Sequence, residues 1–297
     1  LLLSACGGGS ESDAGGQIQA VATVGHLGDI VQEVGGEHVA VTSLMGAGID
    51  PHLYVATESD VEALQAADVI FYNGLFLEAQ MTDVMEQLGQ RKTVTAVGDA
   101  VPEDRLIPWA NYADEYDPHI WFDVTLWMKA VESIRDTLVE FDPENAAAYE
   151  ANATAYLAEL SELDAYVRER TQSLPPERRV LITAHDAFTY FGDAYDFDVR
   201  GLQGISTATE TSTADVQNMV DFIVENEIPA VFIESSVPVR NVEALQAAAK
   251  SRGWDVAIGG ELFSDAMGNP GTPEGTYIGM VRHNVDTIVD ALAGDGS

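Results

Sequence analysis

The sequence predicts an α/β protein of two lobes with mainly parallel sheets, joined by one long rigid helix. Three observations lead there. Strand-like and helix-like segments alternate along the chain, the pattern of a parallel sheet with crossover helices. The strand-like segments are continuous apolar runs such as DVIFYNG and AVFIESS, as expected for strands buried on both faces. The alternation is broken once, by the stretch Asp142–Leu174, which has a helical apolar stripe at Tyr149, Tyr156, Leu160, Leu163 and Val167. Asp142 and Pro143 suit a helix start, and Pro175 and Pro176 stop it. A helix of about thirty residues would reach ~45 Å, enough to cross a domain. The expected organisation is therefore a tail over residues 1–17, a first lobe over 18–141, a linking helix over 142–174 and a second lobe over 175–297.

In order, Ile18 to Thr23 is a short β-rich run, Gly25 to Val34 a helix and Val39 to Leu44 a second strand. A loop with Gly46, Gly48 and Pro51 carries GIDPHLY. VEALQAA, DVIFYNG, LEAQMTDVMEQLG and TVTAV then read as helix, strand, helix and strand. Gly98 to Pro118 is irregular and acidic, and leads into a second Asp-Pro-His triplet in YDPHIWFD. Trp127, Val131, Ile134 and Leu138 line a helix capped by Asp123. Beyond the long helix the alternation resumes. RVLITAH, VRGLQG, AVFIESS and DVAIGG are strands; DAFTYFGDA, ADVQNMVDFIVEN and NVEALQAAAKSR are helices between them. ELFSDAMGNPGTPEG is a loop, and a final helix runs from about Thr276 to Leu292. The second lobe repeats the first lobe's order of elements without repeating its sequence.

The 297 residues carry 49 Asp and Glu against 14 Lys and Arg, a formal charge of −35. That balance excludes nucleic acid and an anionic membrane surface as partners. It is spread over the whole chain and reads as a solvated surface suited to a saline medium. The opening residues LLLSAC are an apolar run with small residues before the single cysteine, Cys6, so no disulfide can form within the chain. They resemble the lipobox of bacterial lipoproteins, in which Cys6 would be acylated. The Gly- and Ser-rich GGGSESDAGG after it would serve as a flexible tether of roughly 17 Å. The protein is expected to be an extracytoplasmic, membrane-anchored lipoprotein and a monomer.

Six histidines are present. His52 and His119 each follow a proline that stiffens the local backbone, and His185 ends the strand LITAH. Ligands in open α/β sheets bind beyond the carboxyl ends of strands, and Asp265 lies in a loop after another strand. If the lobes face each other, three imidazoles and one carboxylate can meet in the cleft as an N3O set for a divalent cation such as Zn2+ or Mn2+. Glu234, ending AVFIES, competes with Asp265 as fourth ligand; Glu234 and Asp123 are also candidates to orient an imidazole from behind. His26, His38 and His283 are read as surface residues.

The runs GIDPHLYVATESDVEALQAADVIFYNGLFLE, YDPHIWFDVTLW, TAHDAFTYFGDAY, GLQGIST, VFIESSV and GGELFSDAMG resemble the TroA-like zinc/manganese solute-binding lipoprotein family. The similarity extends from about Ile18 to Leu292. It implies two α/β lobes joined by one helix, a metal ion between them held by His52, His119, His185 and Asp265, delivery of that ion to an ATP-binding-cassette permease, and no enzymatic activity. Manganese-selective relatives commonly have Glu where His185 stands, and many zinc-dedicated relatives carry a His-rich loop that Gly98 to Pro118 lacks, so the resemblance leaves the metal open. A helix-linked pair of lobes is expected to move only slightly, since bending a helix breaks backbone hydrogen bonds. Two other classes remain beside this one. A metal-dependent hydrolase would use three protein ligands and a water, and a lipid-anchored surface adhesin would bind a macromolecule.

Overall fold

The computed structural model describes residues 16–109, 112, 115–209 and 211–294. Cys6 and most of the proposed tether lie outside the described residues. Strands β1 (Ile18–Val24), β2 (Val39–Met45), β3 (Val69–Tyr72) and β4 (Thr93–Ala96) form one sheet in the order β2-β1-β3-β4, every pairing parallel. β5 (Val180–His185) pairs with β6 (Asp198–Gln203), and β7 (Ala230–Glu234) with β8 (Ala257–Leu262), again in parallel. β5 packs beside β7. The second half thus has two two-stranded sheets, β5-β6 and β7-β8, set side by side in the spatial order β6-β5-β7-β8, the counterpart of the first sheet's order. Parallel strands place all their carboxyl ends on one side, so each half offers a single edge from which loops can present side chains.

The helices α1 (Gly25–Gly35), α2 (Glu58–Ala66), α3 (Thr82–Gly89) and α4 (Val124–Phe141) belong to the first half. α1 buries Leu27, Ile30, Val31 and Val34, spaced three, one and three residues apart along one stripe. α2 begins at a capping box in which Thr57 and Asp60 satisfy each other's backbone N–H. α3 starts later than its apolar pattern suggests. Leu75 and Phe76 take left-handed backbone angles, and the Glu78 carboxylate folds back onto the N–H groups of Asn73 and Gly74 at 2.8 and 3.1 Å. That turn uses the residues that would otherwise open the helix.

The long helix α5 spans Ala146–Gln172, 27 residues and about 40 Å. It begins four residues after the expected Asp142. Asp142 instead closes α4, and its carboxylate accepts the Asn145 side-chain N–H and the Tyr149 hydroxyl, each at 2.7 Å. Residues 142–145 therefore form the turn of a helical hairpin, the use an Asp-Pro pair finds when a helix already precedes it. The expected stripe of Tyr149, Tyr156, Leu160, Leu163 and Val167 is buried. At its start α5 holds the first half: Asn152 donates to the Val34 carbonyl and Tyr156 to Asp29, both at 3.1 Å. Towards its end it holds the second, where the Tyr166 hydroxyl and Arg170 Nε each donate to Asp286 at 2.7 Å.

The remaining helices are α6 (Thr189–Tyr195), α7 (Thr213–Glu225), α8 (Arg240–Ser251) and α9 (Tyr277–Ala293). One apolar cluster continues from the first sheet through α4 and α5 into α6 and α9, so the two halves share a core. A second, smaller cluster lies among β5, β7, α7 and α8. Among the described residues no helix is long and apolar enough to cross a membrane.

Candidate metal centre

His52 lies in the loop after β2, His119 in the long connection after β4, His185 at the end of β5 and Asp265 in the loop after β8. All four stand at carboxyl edges, two from each half, and one donor atom from each falls within 4.8 Å of the others. They are 0–3% exposed. His52 Nε2 is 3.3 Å from His119 Nε2, and Asp265 reaches His119 Nε2 through Oδ1 and His185 Nε2 through Oδ2, both at 3.3 Å. His185 Nε2 and Asp265 Oδ1 are buried and form no hydrogen bond. Buried polar atoms without partners are uncommon and costly. Here they are what a cation would satisfy.

The local sequence explains how each ring is aimed. In both Asp-Pro-His triplets the aspartate side chain accepts the backbone N–H of the histidine two residues on, at 2.9 Å for Asp50 with His52 and for Asp117 with His119. Asp117 Oδ1 also accepts the His119 ring Nδ1–H at 2.7 Å. Glu234, at the end of β7 and next to β5, grips His185 in the same way: Oε1 takes the backbone N–H at 2.9 Å and Oε2 the ring Nδ1–H at 2.5 Å. A carboxylate on Nδ1 fixes the tautomer and turns the Nε2 lone pair inward. Glu234 therefore stands behind His185 rather than competing with Asp265. Gly201 of β6 lets the chain pass close by just after His185, since a Cβ there would fall 2.3 Å from the Asp186 backbone nitrogen.

Two expectations are corrected. Asp123 does not orient an imidazole; it caps α4, accepting the Thr125 N–H at 2.8 Å, and pairs with Arg105 at 3.1 Å. Asp117 does that work, and its signal was the repeated Asp-Pro-His triplet itself. His26 is not on the surface. It is fully buried, stacked on Trp121 at 4.9 Å, with neither ring nitrogen hydrogen-bonded. It shares a helix face with Ile30 and Val34, at four and eight residues, which the periodicity of α1 could have shown. Burial holds His26 neutral, with its pKa lowered to about 4. His38 and His283 are partly exposed.

The electrostatics follow from burial and neighbours. Burial lowers the His52 pKa to about 3, against the pull of Asp265. For His119 burial acts in the same direction, but the Asp117 and Asp265 carboxylates outweigh it and raise the ring to about 9. His185 is raised well above the ordinary imidazole value, with Asp265 and Glu234 overcoming burial. Burial would raise Asp265, yet His185, His119 and His52 hold it well below the usual carboxylate range. Protons on two imidazoles and a bound cation are thus alternative ways of balancing the buried carboxylates Asp265, Asp117 and Glu234.

Three imidazole nitrogens and a carboxylate, gathered from the facing edges of two parallel α/β halves, define a protein that could hold one divalent cation. Residues 20–291 match the model of the ZnuA family, zinc-uptake complex component A, periplasmic, and the chain belongs to that family. It is 50% identical over 286 residues to the zinc-binding protein TroA of Treponema pallidum, covering 96% of this chain and 92% of that protein. It is 46% identical over 293 residues to the manganese-binding lipoprotein MntA of Bacillus subtilis, covering 98% and 95%. The solved structure of the periplasmic zinc-binding protein TroA from Treponema pallidum superposes with a TM-score of 0.91 over 93% of this chain and 99% of that one.

Proposed function

We propose that this chain captures a zinc or manganese ion outside the cytoplasm and delivers it to the permease of an ATP-binding-cassette importer. His52, His119, His185 and Asp265 are the ligands in this reading, and the ion is cargo. The observation that carries it is the convergence of four buried donors with two of the imidazoles clamped by carboxylates from behind. Family membership and the names of the two relatives, one zinc-binding and one manganese-binding, agree with it.

The division into a first lobe, a linking helix and a second lobe belongs to the same proposal, as do acylation of Cys6, a monomeric state and the absence of catalysis. Four protein ligands in a site only 0–3% exposed leave no position for an attacking water, which favours capture over hydrolysis. The shared core and the long helix favour small lobe movements on binding. Calorimetric titration of metal-stripped protein with Zn2+ and Mn2+, followed by pull-down of a membrane permease, tests the proposal. Tight one-to-one binding and permease capture support it. Absence of tight binding by either ion would defeat it.

A further inference from the structure

We propose that Asn73 is a positioning residue for the ion, because its side chain fixes the peptide group from which His119 projects. This rests on the metal-capture reading above and names a residue that sets how firmly the ion is held. The Pro118–His119 peptide is pinned at both ends. Its N–H donates to Asp117 Oδ1 at 2.9 Å, and its carbonyl, that of Pro118, accepts Asn73 Nδ2 at 3.0 Å. Asn73 and Asp117 are fully buried, so neither bond is open to solvent. A peptide group is planar and the His119 Cα lies in its plane, so the place of that Cα is set here. The Asp117 contact on ring Nδ1 then sets the turn of the imidazole.

The turn that presents Asn73 is built at a cost. Asn73 directly follows β3, and Glu78 holds its N–H and that of Gly74, while Thr23 of β1 donates to the same carboxylate at 2.6 Å. Glu78 is itself buried, and a buried carboxylate served by neutral donors is expensive. Between Gly74 and Glu78, Leu75 and Phe76 take φ of 52° and 69°, a region that residues with a Cβ avoid. Such outliers persist where the surrounding structure over-determines them, and they cluster at ligand sites. Their common product here is an amide that reaches a carbonyl 45 residues away in sequence.

The bond is not needed to satisfy the backbone. The Pro118 carbonyl also accepts the Ile120 N–H at 2.8 Å. The Gly74 carbonyl, the second acceptor of Asn73 Nδ2 at 3.1 Å, also accepts the Leu77 N–H at 3.0 Å. Asn73 Oδ1 is buried without a partner. Truncating Asn73 therefore orphans neither carbonyl and removes an unpaired oxygen. Its cost to the fold is that of a small core cavity, whereas its effect on the ion runs through His119.

The test compares wild type, Asn73→Ala, Asn73→Ser and Leu64→Ala, the last a fully buried core position on α2 of the same half. Chelator competition on metal-stripped protein reads Zn2+ affinity, thermal denaturation reads the fold, and proton NMR of the Co2+ forms reads the shifted Nδ1–H signal of each ligand imidazole. Asn73→Ala should weaken Zn2+ about three- to tenfold, the scale of one hydrogen bond. It should displace the His119 signal and leave that of His185 in place. Asn73→Ser, too short to reach Pro118, should match it and serves if the alanine variant folds poorly. Leu64→Ala should lose at least as much melting temperature yet keep wild-type affinity and spectrum. Wild-type affinity and spectrum in the Asn73 variants, equal displacement of both signals, or equal weakening by Leu64→Ala overturns the inference while leaving metal capture standing. Wild-type protein that binds neither Zn2+ nor Mn2+ defeats both.

Discussion

The Tyr190 hydroxyl donates to the Asp117 carbonyl at 3.0 Å and accepts the Ile107 N–H at 3.1 Å, tying α6 of the second half to the segment that carries His119. Two further links lie beside the site. Thr207 donates to Asp50 at 2.6 Å, two residues before His52, and Trp121 Nε1 donates to the Ser264 carbonyl at 3.1 Å, next to Asp265. His52 and His119 are thus each linked to the second half within two residues of themselves. Tyr190→Phe removes both of these hydrogen bonds at almost constant shape. The one to Asp117 lies on the segment that carries His119, and its loss should weaken metal binding by about two- to tenfold through faster release. Stopped-flow chelator capture checks this, and a melting temperature near wild type would show that the fold is intact.

His52→Ala and His119→Ala should both lower metal affinity by orders of magnitude, yet differ in the metal-free protein. Loss of His119 leaves the Asp117 carboxylate buried and without its ring partner, a destabilisation of about 3–5 kcal/mol if the charge is retained. Among the described residues no carboxylate clamps the His52 ring as Asp117 and Glu234 clamp those of His119 and His185, so its removal should cost much less. Calorimetric titration reads the affinities, and thermal denaturation of metal-stripped samples reads the contrast.

The raised imidazoles make a signed pH prediction. His119, at about 9 in the folded protein, and His185, also raised, stabilise the metal-free protein fully below the unfolded value of 6.5. That contribution fades as pH rises through about 9. Metal-free protein should therefore lose melting temperature between pH 6.5 and 9.5 relative to the zinc-loaded form. Over the same window binding should tighten, because the ion no longer has to displace protons. Titrations in buffers of different ionisation enthalpy should show protons released on binding at pH 7.

Leu160 lies at the middle of α5 and is fully buried in the core that the halves share. Leu160→Ala should destabilise the protein by about 2–5 kcal/mol through lost burial and a residual cavity. Urea denaturation with metal removed measures it, and a loss below 1 kcal/mol would show that the helix does not carry the joint core.

The convergence of the four candidate side chains was legible because Asp-Pro-His triplets and strand ends are local features, and the stripe of α5 because Tyr149 to Val167 repeat at helical spacing. What escaped depends on contacts remote in sequence or on competing uses of one residue. Asp142 could begin a helix or end one, and only the packing of α4 on α5 decides. Asp123 and Asp117 flank the same histidine, and the choice between them rests on a ring geometry that spacing does not encode. His26 looked polar beside glycines, whereas its helix face turns it under Trp121.

The central claim is that one ion binds where the four side chains meet. Anomalous diffraction recorded at the zinc and manganese edges from crystals of metal-loaded protein tests it most directly. The expected result is a single strong peak about 2.0–2.2 Å from Nε2 of His52, His119 and His185 and from the Asp265 carboxylate. A peak elsewhere, or none at full occupancy of added metal, would contradict it.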